Sequence, residues 1–403
     1  MKTFTTDFLI IGGGIIGICL ARRLKKIFTD AKITVLEKEK QCGLHASGRN
    51  SGVLHAGFYY TPNSLKAKFT RLGNELLTAY CEEKHLAIRQ CGKLVIAKNA
   101  HDLSGLDELL KRGNANQVVL HELTTAEARQ MEPRALTYQR ALFSPTTSSI
   151  NPTQVMAALT QDAQAEGILI HCGTRYLKRV KENVVHTTAG EYQACYIVNA
   201  AGLYADKVAM DFGFSKNYRI LPFKGIYLYG QEPAFSLGPH IYPVPDLANP
   251  FLGVHLTVTV DGKTKIGPTA IPALWREQYR YFDQFHLKEF IDIVVRQAGL
   301  LLFSPFNFKK LALEEMKKYS KSHLVKLAAS LAINIHQENF NHFGTPGIRA
   351  QLINIKDRKL EMDFILEGDH HSMHILNAVS PGFTSAFPFT EHVCANIQKF
   401  VSR

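Results

Sequence analysis

The pattern G-x-G-x-x-G at Gly12, Gly14 and Gly17 constrains this chain more than any other feature. It stands between an apolar run, residues 8–11, and a stretch of small and apolar residues that keeps helical period to about residue 24. A second run, 32–38, is rich in β-branched residues and carries Glu37 near its end, 20 residues after Gly17. Strand, glycine turn, helix, strand is a βαβ unit, for which a right-handed crossover is expected. Each part has its own physical reason. Gly12 permits a tight turn, Gly14 lets backbone approach a pyrophosphate, and Gly17 lets helix and strand pack closely. The helix N-terminus, with Ile15 and Ile16, offers amide N–H groups and a positive dipole end to phosphates. Glu37, with Lys38 beside it, can accept hydrogen bonds from ribose hydroxyls. The expected fold class is α/β, with a Rossmann-like dinucleotide-binding domain.

Periodicity extends this scheme. Helices are expected at 64–86, near 102–112 and 124–131, and at 151–167, where Asn151 is the N-cap and Pro152 the first helical residue. Strands are expected at 93–97, 168–172 and 195–202. From about 216 to 335 the character changes to long strands, "YRILPFKGIYLYG" and "PFLGVHLTVTVDGKTKIGP", with a turn at Asp261–Gly262 and helical material between 283 and 333. The style then returns to α/β, with a strand at 373–379, the turn "SPGFTSAF" and a final helix to about 400. The nucleotide-binding domain is therefore expected to be discontinuous, 1–90, 145–215 and 336–403. It is interrupted by an α+β domain built on an antiparallel sheet, 91–144 and 216–335.

Composition narrows the function. The seven cysteines are scattered with no Cys-x-x-Cys pair, which argues against a disulfide framework, a zinc site and disulfide-reductase chemistry. No metal is expected, and a reducing compartment fits. A net charge of +12 without a dense basic block admits an acidic substrate, an anionic membrane surface or nucleic acid. No RNA-binding motif is present, so no nucleic-acid partner is expected. Residues 8–20 are too short to span a membrane and carry no cleavage site. A cytoplasmic protein is expected, with peripheral contact on the inner face of the cell membrane left open. Oligomeric state is not encoded in any of these features.

Three observations favour FAD over NAD. There is no second G-x-G-x-x-G for a nicotinamide nucleotide. The loop after Glu37, including "SGRNSGVLHAGFYY" (47–60), is long and glycine-rich, as an extended ligand requires. A further Gly/Ser turn near the C-terminus can close on the same ligand. Cofactor contacts are expected from Ser47, Asn50, Ser51 and Gly52 in the loop, from Ala201 and Gly202 in "NAAG", and from Gly382, Phe383 and Thr384 in "SPGFTSA".

The segments "GRNSGVLHAGFYY", "NAAGLYAD", "PFKGIYLY", "YPVPDLANPFLGVHLT", "GPTA", "GIRAQL" and "LNAVSPGFTSA" run in order over nearly the whole chain. In them the sequence resembles the D-amino-acid-oxidase-like FAD-dependent oxidoreductases, and most of all their branch acting on L-2-hydroxyglutarate. It differs from that pattern at Thr269, where Asn is usual, and at Val379, where Pro is usual. The resemblance implies non-covalent FAD, substrate held between the flavin ring and a sheet, and oxidation of L-2-hydroxyglutarate to 2-oxoglutarate. Two rival functions are an amine or amino-acid oxidase of the same fold, acting on sarcosine, glycine or a D-amino acid, and a basic nucleic-acid-binding flavoprotein. The electron acceptor, whether quinone, oxygen or another molecule, is not readable.

Oxidising an alcohol at a flavin needs a C–H bond facing the ring, a base for the hydroxyl proton and a cation for the carboxylate. Arg349 is the candidate for the 1-carboxylate, since a guanidinium grips a carboxylate bidentately. His55 and His255 are equal candidates for the base. Lys224 and Tyr60 are candidates for the distal carboxylate of a five-carbon diacid.

Overall fold

Phe8, Leu9, Ile10 and Ile11 are all buried, as in a strand covered on both faces. They belong to the strand Thr3–Ile11, at the middle of an eight-stranded sheet. The computed structural model describes residues 2–230, 237–247, 251–303 and 308–401, which fall into two compact units.

The first unit comprises residues 1–50, 152–222 and 349–403. Five of its strands run parallel in the order Leu169–His171, Ile33–Leu36, Thr3–Ile11, Gly190–Asn199, Ser372–Ile375. The hairpin Tyr176–Lys181 and Val184–Thr187 extends one side in antiparallel fashion. On one face the helix Ile15–Ile27 packs against the helices Pro152–Ala165 and Ala386–Val401. On the other, Leu9, Ile11 and Ile197 pack with Val208 and Phe212, at the short helix Ala205–Asp211. This is a Rossmann-like domain.

The second unit comprises residues 51–151 and 223–348. Its main sheet has eight strands in the order Phe340–Phe343, Leu228–Gly230, Thr264–Gly267, His255–Val258, His240–Pro243, Lys93–Ile96, Arg140–Ser144, His121–Thr124. All neighbours are antiparallel except His240–Pro243 beside Lys93–Ile96, which run parallel. The expected antiparallel sheet thus contains one parallel pair. On one face Leu94, Ile96, Ile241, Leu256, Val258 and Ile266 pack against Leu324, Val325 and Ala328 of the helix Lys321–Ala329.

Several expectations are corrected. Residues 51–90, 145–151 and 336–348, assigned from sequence to the nucleotide-binding domain, belong to the second unit, and residues 216–222, assigned to the second domain, belong to the first. Val53–Leu54 and Ile88–Arg89 both pair with Ser148–Ile150, and the Asn74 amide in the helix Leu65–Glu83 donates to the carbonyls of Leu54, His55 and Thr146. The long strands expected after 216 are shorter. Tyr218–Gly225 and Leu228–Gly230 are separated at Ile226, whose N–H donates to the Thr269 hydroxyl while its carbonyl accepts from the Thr269 N–H. The strand expected from 250 begins at His255, and Pro250 lies outside the described residues. The helical stretch 283–333 contains the helices Leu287–Phe303, Phe308–Lys317 and Lys321–Ala329, with 304–307 outside the described residues. The strand expected at 373–379 ends at Ile375. Beyond it the Asn377 amide donates to the carbonyls of Glu361 and Asp363 and so leaves the ladder.

Candidate active site

The glycine loop in the first unit is built by close approach. Gly12 has φ +116°, and a Cβ there would lie 2.4 Å from the Ala200 carbonyl oxygen. A Cβ on Gly17 would lie 1.9 Å from the Gly12 carbonyl oxygen. Strand, helix and the turn at 200–201 therefore meet with no room for a side chain. Gly14 is the N-cap of Ile15–Ile27 and supplies no side-chain cap, and the first turn carries no acidic residue. The positive end of the helix is left to an anion, beside the first-turn residues Ile15, Ile16 and Gly17. Ser47 sits at the same end, its hydroxyl accepting the Ile15 N–H at 2.9 Å.

Glu37 is buried. Its carboxylate accepts the Gly13 N–H at 3.0 Å on one oxygen and the Glu39 N–H at 2.8 Å on the other. A carboxylate has about four lone-pair sites, so acceptor capacity remains for ribose hydroxyls. Lys38 turns instead to Glu39, 2.6 Å away. Burial pushes the Glu39 carboxyl up, but the hydrogen bonds and charges of Lys38 and His45 outweigh it and hold the group at about 2. The Asn50 amide donates to the carbonyls of Ala46 and Ser47 and fixes the loop on itself. The Ala201 N–H donates to the Asn199 side chain, and Gly202 follows with φ +54°. At the C-terminal turn a Cβ on Gly382 would lie 2.2 Å from the Ala378 carbonyl oxygen. The Gly382 N–H donates to Val379, the residue that departs from the family pattern. Phe383 is half-buried and Thr384 buried, just ahead of the helix Ala386–Val401.

Arg349 also lies in this unit, half-buried, its Nε donating to the Gln351 Oε1 at 3.1 Å. Gln351 is itself fixed, because its amide donates to the carbonyls of Glu361 and Leu352. The acceptor that orients the guanidinium is therefore rigid.

The second unit carries Ser51, Gly52, His55, Tyr60, Lys224 and His255. Register puts an unexpected set beside His255. Lys93 pairs with His240, Ile241 with Leu256, and Thr257 with Lys265. Lys93, His240, Thr257 and Lys265 thus form one row across four strands, with Tyr242 and His255 in the next row on the same face. All six are buried. One face of this sheet is apolar core and the other is a buried cationic and aromatic surface.

The histidines on this surface differ. The His255 Nδ1–H donates to the Gly253 carbonyl at 3.0 Å, which leaves the Nε2 lone pair as the acceptor; the tautomer follows from that bond. Its ring stacks on Tyr242 at 3.7 Å. Burial and then the charge of Lys93 hold His255 well below the usual imidazole value, so it is neutral. His240 has the opposite tautomer, since its Nδ1 accepts the Val258 N–H at 3.0 Å. His55 is pushed down to about 3 by burial and Lys93. Lys93 has no hydrogen-bond partner for its amine among the described residues and lies 4.5, 4.8 and 5.2 Å from the ring centres of Tyr242, Tyr59 and Phe58. Burial lowers the Lys93 amine to about 7. Lys265 donates to the Ser51 carbonyl at 2.8 Å, and burial lowers its amine to about 8. Burial likewise lowers the Lys224 amine. The Thr269 hydroxyl donates to the Lys224 carbonyl and accepts the Ile226 N–H, a donor-and-acceptor role that an Asn amide could also fill.

Two expected cofactor contacts, Ser51 and Gly52, are engaged within the second unit; the Gly52 carbonyl accepts the Ile150 N–H. The Tyr60 carbonyl accepts from the Asn116 amide. Sequence reasoning passed over Lys93, His240, Tyr242 and Lys265. The available signal was a lysine opening an otherwise apolar run in "CGKLVIA" and an aromatic-imidazole pair in "HIYP".

The sequence matches the FAD dependent oxidoreductase family over residues 7–387. The chain belongs to this family. As an FAD-dependent oxidoreductase it uses FAD. Among its relatives, an L-2-hydroxyglutarate dehydrogenase of Escherichia coli O17:K52:H18 is 35% identical over 402 residues, covering 98% of this chain and 94% of that one. The mitochondrial L-2-hydroxyglutarate dehydrogenase of Homo sapiens is 34% identical, covering 99% and 90%. In fold the oxidoreductase is similar to dithionite-reduced L-alpha-glycerophosphate oxidase from Mycoplasma pneumoniae with FAD bound, TM-score 0.78 at 23% identity, covering 99% of this chain and 95% of that one. It is also similar to glycine oxidase from Geobacillus kaustophilus, TM-score 0.74 at 19% identity, covering 98% and 95%. The first unit fits the cofactor chemically. Its helix N-terminus, where the N-cap Gly14 brings no side chain, suits a pyrophosphate, its Cβ-free loop admits close approach, and Glu37 keeps acceptor capacity for a ribose. Among the described residues no helix is long and apolar enough to cross a membrane.

Proposed function

We propose that this oxidoreductase converts L-2-hydroxyglutarate to 2-oxoglutarate and passes the electrons to a quinone or to oxygen. The observation that carries the reading is the buried cationic sheet face of the second unit. Lys93 and Lys265 stand there without a carboxylate ion pair among the described residues, an environment that favours a dianion. FAD supplies the hydride acceptor for the C2–H bond. Gly12, Gly14, Ile15, Ile16, Gly17 and Glu37 would hold its dinucleotide part, with Ser47, Ala201, Gly202 and the turn Gly382–Thr384.

His255 is assigned the hydroxyl proton, taken at Nε2. Its Nδ1 bond to Gly253 keeps that atom available. A neutral imidazole is ready to accept, and the arrival of a negatively charged substrate raises its basicity. Arg349 is assigned the 1-carboxylate, and Lys224 and Tyr60 the distal one. The names of the 34–35% identical relatives support the same substrate.

The test is anaerobic. L-2-hydroxyglutarate added to the purified holoenzyme should bleach the flavin absorbance, with stoichiometric 2-oxoglutarate. Bleaching by glycine, sarcosine or a D-amino acid, and none by L-2-hydroxyglutarate, would overturn the reading. Repeating the reduction before a soluble quinone analogue or oxygen is admitted distinguishes the two acceptors by their reoxidation rates.

A further inference from the structure

Cys42 and Cys172 stand far apart in the sequence, but the first unit brings their thiols together. The strands Ile33–Leu36 and Leu169–His171 run parallel with Leu36 beside His171, and each cysteine follows one of them. Beyond the ladder the two segments stay joined. The Glu37 N–H donates to the His171 carbonyl at 3.0 Å, the Thr174 N–H to the Glu37 carbonyl at 2.8 Å and the Gly173 N–H to the Glu39 carbonyl at 2.7 Å. Across this junction the Cys42 thiol donates a hydrogen bond to the Cys172 sulfur. Cys172 is exposed and Cys42 half-buried, so small solutes reach the pair. Cys195, the other exposed cysteine, faces the Asp7 carboxylate at 3.8 Å instead.

The pair borders the dinucleotide loop. The Gly43 N–H donates to the Gly13 carbonyl at 3.1 Å, and a Cβ on Gly13 would come within 2.7 Å of the Cys42 Sγ. The Glu37 carboxylate holds the Gly13 N–H as well. The segment from Glu37 to Gly43 is therefore a clamp on the glycine loop, fastened to residues 171–174 by hydrogen bonds. A disulfide would add a covalent fastening at the same junction.

The two sulfurs have different parts in that chemistry. Burial pushes the Cys42 thiol up to about 12 and raises that of Cys172 as well, but the hydrogen bond from Cys42 favours the thiolate at Cys172. Cys172 is therefore the attacking sulfur and Cys42 the resolving one. The Cys172 thiolate attacks an oxygen of hydrogen peroxide, the O–O bond breaks, and a sulfenic acid and hydroxide form. The hydroxide takes up the proton that Cys172 lost. The Cys42 sulfur then attacks the sulfenic sulfur, the S–S bond forms and the S–O bond breaks. The hydroxyl leaves as water with the Cys42 proton. Two thiols and one peroxide give one disulfide and two waters, two electrons passing from sulfur to oxygen.

We propose that Cys42 and Cys172 are a peroxide-sensitive thiol pair whose disulfide clamps the turn beside Glu37 and slows the release of FAD. A cross-link restricts the opened form of a segment more than the closed one, so it disfavours the opening that release requires. The experiment uses the full-length, FAD-loaded protein treated with hydrogen peroxide and then with a thiol-alkylating reagent. Peptide mass mapping should show a Cys42–Cys172 cross-linked peptide that a dithiol reductant removes. Flavin fluorescence on dilution should show FAD leaving the oxidised protein about tenfold more slowly, with the original rate restored by the reductant. Cys172→Ser replaces an exposed side chain, so the variant should fold and bind FAD. It should form no bridge and release FAD at the unoxidised rate with or without peroxide. Sulfenic or sulfinic acid at Cys172 with no cross-linked peptide overturns the proposal. A bridge that leaves FAD release unchanged or faster overturns it too, as does slowed release in the peroxide-treated Cys172→Ser variant. Neither readout uses the substrate, so the substrate assignment stands or falls separately.

Discussion

Lys93 combines a stability cost with an electrostatic function. Its folded-state value, about 7, lies below that of an exposed lysine near 10.4. Between those values the unfolded chain binds more protons than the folded one, so stability rises with pH across that window. Lys93→Met removes the cost. The variant should melt higher than wild type at about pH 6.5 by roughly 1 kcal/mol or more, with the gap closing toward pH 10. The same variant should raise KM for L-2-hydroxyglutarate about tenfold, ~1.4 kcal/mol. Thermal melts across pH together with steady-state kinetics check both halves; a lower melting temperature with unchanged KM would mark the lysine as a structural part only. His255 titrates in the opposite functional sense. A base must be unprotonated, so activity is lost as pH falls through its depressed value. The acid limb of kcat/KM should therefore lie below about 6.5. His255→Gln should remove that limb and lower kcat by about 10²–10⁴. At the proposed anchor of the 1-carboxylate, Arg349→Ala should abolish bleaching by substrate while leaving FAD bound, read from the visible spectrum.

At the scale of elements, the glycine turn makes the sharpest demand. A methyl group at Gly17 would meet the Gly12 carbonyl at 1.9 Å, and backbone on both sides cannot yield cheaply. Gly17→Ala should give a colourless protein that regains no flavin absorbance on adding FAD; yellow protein with normal bleaching would refute the packing argument. This part of the fold was legible because its causes are local. Strand, turn and helix lie within residues 3–27, and each glycine has a reason visible in its neighbours. The cationic sheet face was not legible, because it is made by register. Lys93 reaches His240 and His240 reaches Thr257 only through pairings of separated strands, and no periodicity within "KLVI" tells which face will be core. Residues 51–90 were misassigned for the same reason. They pair with Ser148–Ile150, itself expected in the nucleotide-binding domain, and only the tertiary arrangement puts both in the second unit.

For the whole molecule, the dinucleotide cradle is assembled from three separated parts of the chain, and its stability is linked to the ligand. The turn at Gly12–Gly17 touches the Ala200–Ala201 turn, and the helix Ile15–Ile27 packs on Ala386–Val401, whose approach is set by the close turn at Gly382. Anything that binds the folded cradle and not the unfolded chain stabilises it, by about 2.7 kcal/mol at one hundred times Kd. Since the contacts are distributed, that free energy is shared among segments distant in sequence. Restoring FAD to the stripped protein should slow amide hydrogen exchange together at residues 12–18, 200–204 and 379–387. The slowing should follow one FAD concentration dependence, because the three segments open as one unit. Protection confined to residues 12–18 would mean a simple phosphate loop and would remove the C-terminal turn from the cofactor site. Protection of all three with a common midpoint supports the discontinuous cradle, and the same midpoint should appear in the visible spectrum as flavin is bound.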